Sequence, residues 1–485
     1  MNLTKFFIDQ HGCAKNQTDG ELIVGYLSKL GYELTDNAEE AAFIIVNSCG
    51  FIESAKKESI DAVYSIKENY PDAKIILTGC LAQRYAQELN ESMPELDGVF
   101  GNGDLSKIGE FMDSVKKNSH RSMTFPQTGV CSGERPVLFN YPASAYVKIT
   151  EGCSNHCSFC AIPLIRGELR SRPQSEIISE IKGLVDDGIY EINLIGQDLA
   201  AYGSEKDFPD SSASADSTGS SESSKSPLCS LLEKISELSG DFIVRLLYIH
   251  PDHFNSDILQ VMKKDQRFLH YFDIPFQSGD DQIIRKMNRT GSREIYTKLI
   301  QNIRKELPDC VIRTTFLTGF PGESDENAEN TLNFLKDIQP SWSGCFPYSR
   351  EEDTPAYKMK GRVAARIAKN RAAMLEEEQS AITAEKLEGF VGKEVSVLVE
   401  EIISTPEDDT SGEGLAIGRA WFQAPDVDGS VVIRYESDNK DEVEAVQPGN
   451  VVNVKILAST SVDLDGRYIS LKHKFCKKGE HKFIF

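Results

Sequence analysis

Apolar residues in this chain fall into short runs, each followed by a polar turn and then a segment with helical spacing. Phe6-Phe-Ile-Asp9, Phe43-Ile-Ile-Val46 and Lys74-Ile-Ile-Leu77 are three such runs. A short run of this kind, bounded by turns, is the pattern of a strand buried on both faces. Helical periodicity follows from about Gln17 to Leu30, from about Glu53 and from about Ala82. Strand, turn and helix repeated three times predict an open parallel α/β sheet for the first 140 residues, its strand-to-helix loops gathered at one edge.

The alternation continues through the middle of the chain. Ala145–Thr150, Glu191–Ile195, Phe242–Tyr248, Tyr271–Pro275, Val311–Phe316 and Cys345–Tyr348 read as strands separated by helical stretches. This predicts a βα partial barrel with its chemistry on the loops after the strands. Beyond the helical run Val363–Leu387, the segments Val395–Val399, Leu415–Trp421, Gly429–Ile433, Val451–Leu457 and Tyr468–Lys472 are short and divided by turn residues. They predict a small antiparallel β-barrel. The expected division is 1–140, 141–388 and 389–485, the class α/β with an all-β end. Residues 204–226 carry ten serines, five acids, two bases and no periodicity, which reads as a disordered insertion.

Composition narrows the class. A length of 485 residues suits about three units, and 40% hydrophobic with 26% charged residues excludes global disorder. No apolar run approaches the ~18 residues that cross a bilayer, and the opening residues lack a signal-peptide core. A cytoplasmic protein without a membrane partner is expected. The net charge of −22 disfavours a nucleic acid partner, because phosphate surfaces are held by clustered Lys and Arg.

Eleven cysteines in a reducing compartment point to metal ligands or reactive thiols rather than to disulfides. Cys153, Cys157 and Cys160 form a C-x3-C-x2-C run directly after a strand. Three thiolates on one loop can hold three irons of a 4Fe-4S cluster and leave the fourth open; a zinc site completed by His156 is the competing reading. Cys13, Cys49 and Cys80 occupy equivalent loops after the first three strands, at helix N-termini that favour thiolates, so they can converge on a second cluster. Cys131, Cys229, Cys310, Cys345 and Cys476 are left over as structural or incidental.

The C-x3-C-x2-C run with Phe159 before its last cysteine resembles the signature of radical S-adenosylmethionine enzymes. The resemblance implies that the open iron binds S-adenosylmethionine, with Phe159, Gly196, Gln197, Asp198 and Arg313 as cofactor contacts. Gly12-Cys13-Ala-Lys15-Asn16, Asp19 with Glu21, Asn47-Ser48-Cys49-Gly50 and Thr78-Gly79-Cys80 resemble the N-terminal domain of methylthiotransferases. In that family three such thiols hold an auxiliary 4Fe-4S cluster. The C-terminal strands are similar to the TRAM domain, an oligonucleotide-barrel-like module that ends these enzymes. The implied mechanism begins with one-electron cleavage of S-adenosylmethionine at the Cys153/Cys157/Cys160 cluster, the electron coming from a donor such as flavodoxin or ferredoxin. The resulting radical removes a hydrogen, sulfur at the Cys13/Cys49/Cys80 cluster adds at that carbon, and a second S-adenosylmethionine supplies the methyl. An unactivated C–H bond is beyond proton abstraction by a side chain near neutral pH, so no catalytic acid or base is expected besides the cluster ligands.

Some members of the family modify an adenosine of tRNA, and one branch modifies the β-carbon of an aspartate in ribosomal protein S-twelve. Residues 391–485 hold 17 acids and 11 bases, with Lys472, Lys474, Lys477, Lys478 and Lys482 bunched at the end. An acidic module suits a basic ribosomal protein better than RNA. Gln197–Gly203, Glu351–Ala356 and Gly418–Gly429 resemble the protein-modifying branch, whereas Gln277-Ser278-Gly279 resembles the tRNA-modifying one. A tRNA methylthiotransferase and, from another class, a non-catalytic iron-sulfur carrier are the alternatives.

Overall fold

The computed structural model describes residues 3–117, 122–208, 225–404, 412–476 and 481–483. Six parallel strands form the first sheet, in the order Tyr32–Leu34, Thr4–Gln10, Phe43–Ser48, Lys74–Gly79, Gly98–Gly101 and Ser122–Met123. Every position of Phe43–Ser48 is buried, as the central strand of a sheet covered on both faces requires. The pattern of apolar runs does not show Tyr32–Leu34 or Gly98–Gly101. The second begins with a glycine because a Cβ on Gly98 would lie 2.5 Å from the Phe111 ring.

Ser144–Lys148, Glu191–Ile195, Ile243–Leu246, Phe268–Asp273, Val311–Thr318 and Trp342–Pro347 form the second sheet, parallel and in chain order. Its first and last strands are its edges, so the barrel is partial. Its outer face, including Val147, Ile192, Val244, Phe272 and Phe316, packs with the helices in one core.

Glu394–Ile403, Glu413–Ala420, Val431–Glu436, Leu464–His473 and Val451–Ser459 close into a barrel in that order. The expectation of an antiparallel barrel needs one revision: Val431–Glu436 pairs with Leu464–His473 in parallel. The connection holding the helix Lys440–Ala445 makes the crossover that a parallel seam requires.

The loop Trp421–Gly429 plugs the floor of the partial barrel. Trp342 donates to the Phe422 carbonyl (2.7 Å), Tyr271 to Asp428 (2.6 Å) and Tyr146 to Asp426 (3.1 Å). Asp428 is turned inward, whereas Asp426 stays exposed. Glu191 accepts from Arg245 and Arg419, and Arg419 also pairs with Glu400.

Most of the serine-rich insertion, residues 209–224, lies outside the described residues, as do Lys477 and Lys478. Its expected margins are corrected by packing. Phe208 is buried edge-on to Tyr202, and Ser226 caps the helix Pro227–Ser236. At the other end, Lys482–Phe483 pairs in parallel with Val137–Leu138, returning the chain to the segment between the first two sheets.

Candidate functional site

Cys13 caps the helix Ala14–Lys29, Cys49 follows Phe43–Ser48, and Cys80 opens the helix Cys80–Arg84 directly after Lys74–Gly79. Their strands are neighbours, so the three loops share one sheet edge. Close approach between the loops explains two glycines. A Cβ on Gly12 (φ +88°) would meet the Cys49 Cβ at 3.1 Å, and one on Gly50 would meet the Leu81 Cα at 2.7 Å. Asn16 Nδ2 donates to the carbonyls of His11 (2.7 Å) and Asn47 (3.1 Å), fastening the Cys13 turn to the strand before Cys49. Burial, with the charges of Cys80 and Cys13, pushes Cys49 up to about 12. Burial also raises Cys80. At Cys13 burial acts upward too, but the positive charges of Lys15 and Arg166 outweigh it and hold the thiol below its ordinary value.

The second cysteine loop follows Ser144–Lys148 and the two-residue pairing of Thr150–Glu151 with Arg170–Ser171. Burial pushes Cys153 and Cys160 up to about 12. Phe159 packs into a cluster with Ile283, Met287, Phe320 and Ala356, and Ser158 N–H donates to the Met287 carbonyl, so the loop is anchored on its apolar side. Asn155 Nδ2 donates to Asp198 (3.0 Å) on its polar side. His250 lies 3.8 Å from the Cys157 sulfur; burial lowers its pKa to about 3, which keeps it neutral. A recess of about 200 Å³ opens beside Cys153, Asn155, Asp198 and His250.

All eleven cysteines are free. Among the described residues, neither cysteine triple brings its three sulfurs within 4.8 Å of one another, whereas sulfurs on one zinc ion sit about 3.8 Å apart. His156 points to Glu168 at 3.5 Å and is largely exposed, so the zinc reading lacks its fourth ligand. Three thiols whose charges oppose one another, at each of two loop clusters, fit a multinuclear cation better than three neutral thiols.

Two of the expected cofactor contacts are engaged within the chain. The Asp198 carboxylate already accepts from Asn155, His253 Nδ1 (2.7 Å) and the N–H groups of Ala200 and His250. Through Asn155 it is tied to the cysteine loop. Arg313 pairs with Asp428 (3.2 Å) and Asp273 (3.5 Å). Gly196 backs onto Thr150, whose Oγ1 would lie 2.1 Å from an added Cβ, and Gln197 is half-buried in the same loop. Gln277-Ser278-Gly279 is also accounted for by packing. A Cβ on Gly279 would lie 2.2 Å from the Phe334 Cβ, and Ser278 shares a hydrogen bond with Thr331.

The sequence pattern gives no sign of the feature that joins the two thiol clusters. Lys148 Nζ reaches Asp19 (2.5 Å) and Glu151 (2.7 Å), while Arg166 reaches Glu151 (2.7 Å) and Asp19 (2.8 Å). All four are buried, forming a closed ring of two acids and two bases across the first two sheets. Arg166 also donates to the Cys80 sulfur at 3.3 Å, and Cys80 packs on Ala161 and Ile165, just beyond Cys160. The one available hint was Lys148, a charge at the end of an otherwise apolar strand.

Comparison with known proteins gives three family matches along the chain. Residues 5–101 match uncharacterized protein family UPF0004, residues 147–335 the radical SAM superfamily, and residues 391–469 the TRAM domain. A protein of Treponema denticola named ribosomal protein uS12 methylthiotransferase RimO is 51% identical over 473 residues, covering 94% of this chain and 99% of that one. Proteins of the same name from Natranaerobius thermophilus and Clostridium botulinum are 38% and 39% identical, each covering 94% of this chain and respectively 97% and 96% of the relative. Among solved structures, the radical S-adenosylmethionine methyltransferase TsrM from Kitasatospora setae, with cobalamin and a [4Fe-4S] cluster bound, superposes with a TM-score of 0.52 at 12% identity. The match covers 73% of this chain and 74% of that one, a likeness of fold.

Proposed function

Because this chain belongs to the family of the uS12 methylthiotransferase RimO, we propose that it methylthiolates ribosomal protein uS12, at the β-carbon of an aspartate, as a radical S-adenosylmethionine enzyme with two 4Fe-4S clusters. The observation that carries this reading is the pair of thiol triples on adjoining loop edges, bridged by Arg166. Cys153, Cys157 and Cys160 would hold the cluster that engages S-adenosylmethionine, with Gly196 and Gln197 beside it, and Cys13, Cys49 and Cys80 the auxiliary one. When bound, these groups supply the one-electron cleavage of S-adenosylmethionine and the sulfur to be transferred.

The chain's own residues hold these centres in register. Asp198 and Asn155 fix the cysteine loop from one side and Phe159 from the other. Arg166 gives the Cys80 sulfur a charged N–H donor, the kind of contact that tunes a cluster's potential. The charge ring keeps the two edges at a fixed separation, and the plugged floor closes the far end of the barrel to solvent. Those are the demands of a reaction whose reactive species must meet one carbon and not water.

A one-electron donor of the flavodoxin or ferredoxin class completes the reaction. Among the described residues no helix is long and apolar enough to cross a membrane. RNA is not the favoured substrate. The inward-facing Asp428 removes part of the charge argument for a basic partner, so the uS12 reading rests on the relatives. Mass spectrometry of uS12 and of digested tRNA, from cells with and without the protein, tests it. A methylthio group on an aspartate of uS12 that depends on the protein is expected. An unmodified uS12 with loss of a methylthio-adenosine from tRNA would overturn the reading.

A further inference from the structure

The mouth of the barrel holds a cation whose one role so far described is the positive charge it lends Cys13. Lys15 lies in the first turn of the helix that Cys13 caps, and is 5% exposed. Its ammonium sits 3.3 Å from the ring centroid of Tyr248, a residue held at the unusual φ of +67° with its N–H on Asp273. Among the described residues Lys15 has no ion pair and no side-chain hydrogen bond. Every other buried lysine or arginine among them is paired with a carboxylate, except Arg289, which donates to the carbonyls of Pro275 and Phe276. The nearby acids are engaged elsewhere, Asp273 by Arg313 and Glu151 by Lys148 and Arg166.

A buried ammonium resting only on an aromatic face retains all three donors for an anion. The proposed reaction demands one. The β-carbon of an aspartate is bonded directly to its carboxyl carbon, so bringing that carbon to the auxiliary thiols buries a carboxylate at Cys13. An unpaired buried carboxylate is strongly disfavoured. Resting on the proposed uS12 reading, we propose that Lys15 receives the side-chain carboxylate of the substrate aspartate. It thereby orients the β-carbon toward the Cys13 edge and sets the preference for aspartate over its neutral analogue asparagine.

The test is a double-mutant cycle with the cluster-loaded full chain. Binding of purified uS12, and of uS12 with its target aspartate changed to asparagine, is measured for the wild-type enzyme, Lys15→Met and Lys15→Arg. Wild-type enzyme should bind the aspartate form roughly ten- to a hundredfold tighter, the range for a charged hydrogen-bonded pair. Lys15→Met should bind both forms alike, and Lys15→Arg should recover part of the preference. Affinity for S-adenosylmethionine and the auxiliary cluster's reduction potential should stay unchanged in Lys15→Met. A loss of S-adenosylmethionine affinity with the aspartate preference intact would assign Lys15 to the cofactor's carboxylate. A shifted potential with the preference intact would make it a counter-charge to the thiolates. Either result overturns the inference, as does a wild-type enzyme that modifies uS12 without distinguishing the two forms. Wild-type enzyme that leaves uS12 unmodified would instead overturn the proposed function.

Discussion

Replacing Arg166 with methionine should open the junction between the first two sheets by a measurable amount. The guanidinium is one of two cations facing Asp19 and Glu151, all buried, so its removal leaves one ammonium between two carboxylates in a dry site. Removing one partner of a buried ion pair costs about 3–5 kcal/mol, equivalent to a roughly 150- to 4,000-fold rise in the local opening constant. Native-state hydrogen exchange reads this at the Cys153 N–H, bonded to the Gly167 carbonyl, and at the Ile149 N–H, bonded to Ile195. The double variant Arg166→Met/Glu151→Gln removes one charge of each sign and leaves the Lys148–Asp19 pair in place. It should restore about 0.5–3 kcal/mol relative to the sum of the single changes. The two cations hold the Glu151 carboxyl far below its ordinary range against the upward effect of burial, and Lys148 is held above its own ordinary value. The ring's contribution is therefore complete between the unfolded carboxylate pKa of about 4.3 and the unfolded lysine pKa of about 10.4, and is lost as pH falls below or rises above that window. A single variant costing less than about 1 kcal/mol, well short of the cost of breaking a buried pair, or strict additivity in the double, would refute the claim that the ring locks the two edges.

Four further substitutions probe other links. Cys13→Ala should abolish sulfur transfer to uS12 while S-adenosylmethionine cleavage persists, and Cys157→Ala should abolish both; equal loss of cleavage in the two variants would sink the division of labour between the clusters. Glu191→Gln leaves Arg245 and Arg419 sharing no carboxylate between the partial barrel and the closed barrel, at a cost of about 3 kcal/mol. Arg419 and Arg245 hold the Glu191 carboxyl depressed although burial acts to raise it, so the wild-type contribution is present above the usual carboxylate range and lost as pH falls. Denaturant midpoints read from Trp342 and Trp421 fluorescence should show the Glu191→Gln deficit near neutral pH and its disappearance at low pH. Gly279→Ala drives a Cβ to 2.2 Å from Phe334 and should lower stability by about 3 kcal/mol; unchanged stability with altered substrate choice would restore Gln277-Ser278-Gly279 as a specificity signal.

The parts of this molecule legible in the sequence are those set by local pattern. Phe43–Val46 announces a central strand because a strand covered on both faces has no polar alternation to obscure it. Cys13, Cys49 and Cys80 can be placed at one edge because parallel strands in register put every strand-to-helix loop on the same side. What stayed hidden depends on pairings across long stretches of chain. Asp19 and Cys80 meet Arg166 only when the first sheet docks on the second, and no spacing rule connects positions 19, 80 and 166. The same blindness bears on two acidic groups. Asp428 counted toward a surface for a basic partner, yet the structure turns it toward Tyr271 and Arg313 inside the barrel. Asp198 counted as a cofactor contact, and its sequence position gives no sign of the four protein donors that engage its carboxylate. A charge acquires its function from the partner it is given, and sequence supplies the charge without the partner. By that criterion Lys15, buried and given no carboxylate by its own chain, is the residue whose partner is to be sought outside it.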